Sequence, residues 1–146
     1  MKRKFRKTDR LGSGPIDIAL WDLAGRRTNT SVTQMLGGYR TRVKAYASTW
    51  FGGAEGGLST PEAYADFAEQ CLDMGYPGFK MHGWTDGNVA RESNTIRLLG
   101  KRVGDRMDLM HDAACHLRTF ADALAVGRAC DDANYPVLFT ACLGFG

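Results

Sequence analysis

Apolar residues recur at helical spacing in the first periodic segment, "PIDIALWDLAG", where Ile16, Ala19, Leu20, Leu23 and Ala24 would share one face. Pro15 suits a first turn, and Gly25 suits the residue just past a helix end. "LGG" at 36–38 then breaks the chain. The pattern switches to alternation in "RVKAYAST" (42–49), with Val43, Ala45 and Ala47 set against Lys44, Tyr46 and Ser48, which predicts a strand. After the loop "FGGAEGG", "STPEAYADFAEQCLDMG" predicts a helix. Ser59 and Glu62 stand at capping-box spacing, Pro61 fits the first turn, and Tyr64, Phe67, Ala68, Cys71 and Leu72 form the inner face. Gly75 ends it.

The same alternation of elements continues. "GFKMHGW" (78–84) is a strand, and a less sharply patterned helix spans about 88–101. "MDLMHDAA" (107–114) is a third strand. "TFADALAVGRACDDA" is a further helix, with Thr119 and Asp122 at capping-box spacing and Phe120, Leu124, Gly127 and Cys130 inward. "PVLF" (136–139) predicts a fourth strand. Taking Ala45, Lys80, Leu109 and Leu138 as strand centres, the spacings are 35, 29 and 29 residues, the period of βα units on a parallel sheet. "FGGAEGG" matches neither dinucleotide- nor P-loop spacing, which disfavours a doubly wound sheet. Polar residues gather instead at the C-terminal ends of successive strands, as in a (β/α)8 barrel. A whole barrel needs roughly 250 residues, so 146 residues accommodate the first three to four βα units. The expected organisation is a basic leader at 1–13, a helix and linker at 14–42, and the N-terminal part of a barrel at 43–146.

Composition changes this picture little. Hydrophobic residues make up 44% and charged residues 24%, a globular balance. No apolar run approaches the roughly 18 residues of a membrane span, and the basic N-terminus has no apolar segment behind it. The chain is therefore expected to be soluble and cytoplasmic. The net charge of +3 is a property of the leader: the first ten residues hold six Lys/Arg and one acid, and the body is mildly acidic. No aromatic or glycine-rich recognition pattern follows the leader, so a nucleic-acid partner is not expected. The four cysteines (Cys71, Cys115, Cys130, Cys142) form no CxxC pair, which argues against a zinc or thioredoxin-like site. Cys71 and Cys130 read as reduced, structural thiols on helix faces.

Candidate chemistry concentrates on two strands. Alternation puts Lys80, His82 and Trp84 on one face of "GFKMHGW" and Phe79, Met81 and Gly83 on the other. Two titratable groups thus converge, as a base and its modulator would, although a packed lysine stem beside a core histidine fits the same pattern. Asp112 closes "DLMHD" and suits a hard divalent cation as one ligand of several. His111 points the opposite way, towards helix packing or solvent. His116 lies on the following loop. No G-x-S-x-G elbow is present.

Taken in order, "IDIALWDLAGR", "QMLGGYRTRVKAYAS", "GFKMHGW" and "DLMHDAA" resemble the mandelate racemase/muconate lactonizing enzyme branch of the enolase superfamily, over roughly residues 14–134. The resemblance implies a Mg2+-dependent barrel behind an α+β cap, with "IDIALWDLAGR" as the helix linking the two. It also implies abstraction of the proton α to a carboxylate, leading to dehydration, racemisation or cycloisomerisation. By this resemblance Lys80 is the first residue of the family's Lys-x-Lys pair, and His82 stands where the second lysine, the base, would be. Asp112 matches the first Mg2+ ligand, and Ala114 stands where an asparagine is frequent. The other two metal ligands would be acids closing later strands, and no acid follows Asp132. The expectation is therefore the N-terminal part of a longer enzyme acting on a small carboxylate such as a sugar acid. Alone it would have weak or absent Mg2+ binding and little activity, and it would self-associate through its open edges. The alternative is a non-catalytic piece serving assembly.

Overall fold

The structure is a computed structural model that describes residues 14–53 and 57–135. The basic leader, the predicted fourth strand "PVLF" and Cys142 lie outside the described residues. Two compact units are present, one up to Val43 and one from Lys44 onward.

In the first unit, α1 spans Gly14–Thr28 and α2 spans Val32–Met35. Gly25 does not end α1 but lies within it. A Cβ there would stand 2.9 Å from the Thr30 carbonyl oxygen, so glycine is needed for the chain folding back over the last turn. The Thr30 N–H donates to the Gly25 carbonyl at 3.0 Å. Asn29, with φ 51°, makes the left-handed turn, a conformation asparagine tolerates. Ser31 and Gln34 close a capping box on α2. The expected inner face of α1 is in the open: Ile16, Leu20 and Leu23 are all exposed.

The second unit runs β1 (Ala47–Ser48), α3 (Pro61–Asp73), β2 (Gly78–His82), α4 (Val89–Val103), β3 (Asp108–Asp112) and α5 (Phe120–Asp132). The strands form one parallel sheet in the order β1-β2-β3, with Ala47 opposite Phe79 and Ser48 opposite Lys80. Between β2 and β3, Phe79 pairs with Leu109, Lys80 with Met110, and His82 with Asp112. These are the expected βα units of a partial barrel. β1 is far shorter than the alternation over 42–49 predicted. The register places Tyr46 beside Gly78, the first residue of β2, yet the pairing begins only at Ala47, opposite Phe79.

Phe79, Met81, Leu109 and His111 point to one side of the sheet, where Tyr64, Ala65, Ala68 and Cys71 of α3 and Ile96, Leu99 and Val103 of α4 bury against them. Helix α3 is capped by Thr60 rather than Ser59. Pro61 takes the first helical position, and the residue before it is held extended (φ −132°, ψ 159°), with its hydroxyl accepting the Ala63 N–H. Gly75, with φ 87°, terminates α3 as expected. The capping box of α5 is present, Thr119 and Asp122 exchanging hydrogen bonds at 3.1 and 3.0 Å. Its buried face differs from the expected one. Val126 and Ala129 are buried, Cys130 only partly, and Phe120 is 71% exposed. α5 docks on α4 through this small stripe, with Ala133 against Gly100, so its first turn overhangs the contact.

Candidate active site

The C-terminal ends of β2 and β3 bring the three sequence-derived residues together. Register sets His82 beside Asp112, and Lys80 is one pleat back on the same face. Asp112 Oδ2 lies 3.3 Å from Lys80 Nζ and 3.1 Å from His82 Nε2. Asp112 Oδ1 accepts the Ala114 N–H at 3.0 Å. Burial works against the charged carboxylate, but the Ala114 N–H, the His82 ring and the Lys80 ammonium outweigh it and hold Asp112 below the ordinary carboxylate range. Ala114 and Cys115 carry φ of 45° and 68°, so the backbone that supplies this N–H sits in the left-handed region without glycine. An asparagine at 114 would adopt it more readily.

The His82 ring meets acceptors on both sides. Nδ1 is 2.8 Å from the Thr49 carbonyl oxygen, which can only accept, so Nδ1 carries a proton. Nε2 faces Asp112 and is the nitrogen able to exchange a proton. Phe51 stands edge-on to the ring at 5.6 Å, with Trp50 at 6.3 Å. His116, from the loop after β3, meets the same Phe51 ring at 5.2 Å and does not join the cluster. Lys80 Nζ is 5.7 Å from the centre of the Tyr46 ring.

Sequence reasoning missed the groups that hold this edge from behind. Tyr64 of α3 donates its hydroxyl to the His82 carbonyl. Burial, then the nearby Glu92 charge, push the Tyr64 phenol well up, keeping it a neutral donor. Glu92 of α4, 4% exposed, accepts the Trp84 N–H at 2.9 Å and meets His111 Nε2 at 2.9 Å. His111 is thus the helix-facing residue that alternation predicted. Trp84 departs from its expected face: the ladder ends at His82, and the indole turns to the helices, 5.0 Å from the Tyr64 ring and under the Arg91 guanidinium. A local signal for Glu92 existed, because it shares the spacing of Ile96, Leu99 and Val103, a lone acid in an apolar stripe.

Among the described residues no group of three or more His, Cys, Asp or Glu is placed to hold a metal ion. Asp112 offers one hard oxygen ligand, and Glu92 lies on the helix side of the sheet. The donor set therefore does not by itself fit a Mg2+ site, which needs several oxygens. No described helix is long and apolar enough to cross a membrane.

The mandelate racemase/muconate lactonizing enzyme N-terminal domain model matches residues 1–37. The chain is 30% identical over 118 residues to a D-gluconate dehydratase of Thermoproteus tenax, covering 75% of this chain and 22% of the relative. An arabinonate dehydratase of Saccharolobus solfataricus is 30% identical over 119 residues, covering 80% and 30%. The crystal structure of D-glucarate dehydratase from Agrobacterium tumefaciens complexed with magnesium superposes with a TM-score of 0.74 at 38% identity, over 82% of this chain and 33% of that one. A substrate-liganded L-Ala-D/L-Glu epimerase of Bacillus subtilis gives 0.67 at 26% identity, over 82% and 31%. The chain thus spans about a third or less of the length of these relatives. Ordered sequence segments, parallel βα units and these likenesses agree: the chain is similar, over most of its own length, to part of the mandelate racemase/muconate lactonizing enzymes of the enolase superfamily.

Proposed function

We propose that Lys80, His82 and Asp112 are part of a site that moves the proton α to the carboxylate of a sugar acid, in an enzyme of the dehydratase type. The observation that carries this reading is the convergence of His82 Nε2, Lys80 Nζ and Asp112 Oδ2 within 3.3 Å at the C-terminal edge of the sheet. The names of the sugar-acid dehydratase relatives support the substrate class. His82 exchanges the proton at Nε2, and the Lys80 ammonium faces the negative charge that develops on the substrate carboxylate. In dehydration the α-proton and the β-hydroxyl leave as water, and the resulting enol becomes a 2-keto acid. Asp112 would contribute one ligand to a Mg2+ ion, which would stabilise the charge developing on the substrate carboxylate, and the other ligands would come from outside the described residues.

Residues 1–146 alone are accordingly expected to bind Mg2+ weakly and to show no appreciable turnover. Mn2+ as a paramagnetic probe tests the metal-facing role. It should broaden the Ala114 amide and His82 ring signals in the wild type and spare them in Asp112→Asn. Equal broadening in both removes Asp112 from the metal-facing role. Mg2+-dependent dehydration of D-gluconate by the wild type at ordinary enzyme rates contradicts the expected inactivity. Self-association is also proposed, supported by Ile16, Ile18, Leu20 and Leu23 of α1, all exposed.

A further inference from the structure

We infer that Thr49 is a positioning residue for His82, acting by diverting one hydrogen bond of the β1–β2 ladder. In a parallel pair the bonds are evenly spaced, every second residue on one strand donating to one residue of its neighbour and accepting from the residue two further on. The Thr49 N–H makes the first of these bonds, to the Lys80 carbonyl at 3.0 Å. The next bond in the series would run from the His82 N–H to the Thr49 carbonyl. It is not made. The His82 N–H donates instead to Thr49 Oγ1 at 2.8 Å. The Thr49 carbonyl, released from the ladder, meets the imidazole Nδ1 of the same histidine at 2.8 Å.

One threonine thereby holds His82 twice, main chain by the hydroxyl and ring by the carbonyl. Thr49 is 5% exposed, so neither bond competes freely with water. The hydroxyl is 3.4 Å from the His82 carbonyl, where it completes its own donor. The consequence is chemical: a ring held at Nδ1 by an acceptor presents Nε2 towards Asp112 and the open face of the sheet. A residue without a hydroxyl at 49 would leave the His82 amide to reclaim the carbonyl, and the ring would lose the partner that orients it.

This deepens the role given to His82 and takes its functional meaning from that reading. Its test needs no substrate or metal, so a failed turnover assay and a failed test here are told apart. The experiment is solution NMR on the full chain, labelled with 15N and 13C. In the wild type the His82 ring Nδ1–H should appear as a slowly exchanging signal, coupled across its hydrogen bond to the Thr49 carbonyl carbon. The His82 backbone amide should show no coupling to that carbon. In Thr49→Val the amide coupling should appear and ring N–H exchange should accelerate by about tenfold or more. Thr49→Ser should restore the wild-type pattern. A wild-type amide coupled to the Thr49 carbonyl overturns the inference, and so does a Thr49→Val chain whose ring N–H stays as protected as before. Should Thr49→Val not fold, the wild-type couplings alone decide.

Discussion

Two side chains show how burial and neighbouring charge divide chemical roles within this small sheet. Asp112 is partly buried yet kept ionised by an N–H and two basic groups, so its folded-state pKa lies below the unfolded one. Its contribution to stability is therefore present above an unfolded pKa of about 3.9 and is lost as pH falls through the folded value. Cys130 is the opposite case. Burial, then the Asp131 and Glu92 charges, push its thiol up to about 12. At pH 8 only about one thiol in 10,000 is then ionised, and the thiolate is the reactive form. Iodoacetamide at pH 8 should leave Cys130 unmodified in the native chain and label it once urea unfolds the protein. The folded state also holds this proton longer than the unfolded one, so stability is level below about pH 8.5 and declines above it. Cys130→Ala should flatten that alkaline decline in urea midpoints, and an unchanged slope would contradict the assignment.

At the scale of elements, the join between β2 and α4 is the most constrained place in the described chain. A Cβ on Gly83 would lie 1.8 Å from Glu92 Oε1, so the carboxylate occupies the space that glycine vacates. From there it accepts the Trp84 N–H and meets His111. Gly83→Ala should expel the carboxylate, and Glu92→Ala should leave two buried partners unsatisfied, each costing about 3 kcal/mol. Glu92→Gln should cost less, because its amide oxygen still accepts the Trp84 N–H. Urea denaturation checks the order, and a loss under about 0.5 kcal/mol in Glu92→Ala would exclude a structural role for the pair. Helix existence was legible from local chemistry, since Pro61, Gly75 and the Thr119/Asp122 pair each act within one turn. The extent of β1 was not. Alternation records what a strand could do, whereas its length depends on how much of it actually pairs with the neighbouring strand. The inner face of α5 was likewise misjudged, because the closest approach to α4 selects small residues such as Ala129 over the large Phe120.

For the whole molecule, every fully sequestered apolar side chain among the described residues lies between Tyr64 and Ala129. The first unit contributes none, and its helix presents Ile18 at 70% exposure. A 15-residue helix with no buried face is marginal in water. Sedimentation velocity should therefore show association that grows with concentration, and Ile18→Lys with Leu20→Lys should reduce it. A monomer at all concentrations would remove the self-association proposal. The sequence by itself determined the βα period, the side of β2 that carries Lys80 and His82, and the position of Asp112 at a strand end. All of these follow from periodicities that repeat every two or 3.6 residues within one segment. Only the tertiary structure decided which groups meet across segments: His82 against Asp112, Thr49 on both the amide and the ring of His82, and Glu92 beneath Gly83. The first two depend on register between strands some 30 residues apart, and the third on how α4 packs back against the end of β2, neither of which is contained in the pattern of one segment.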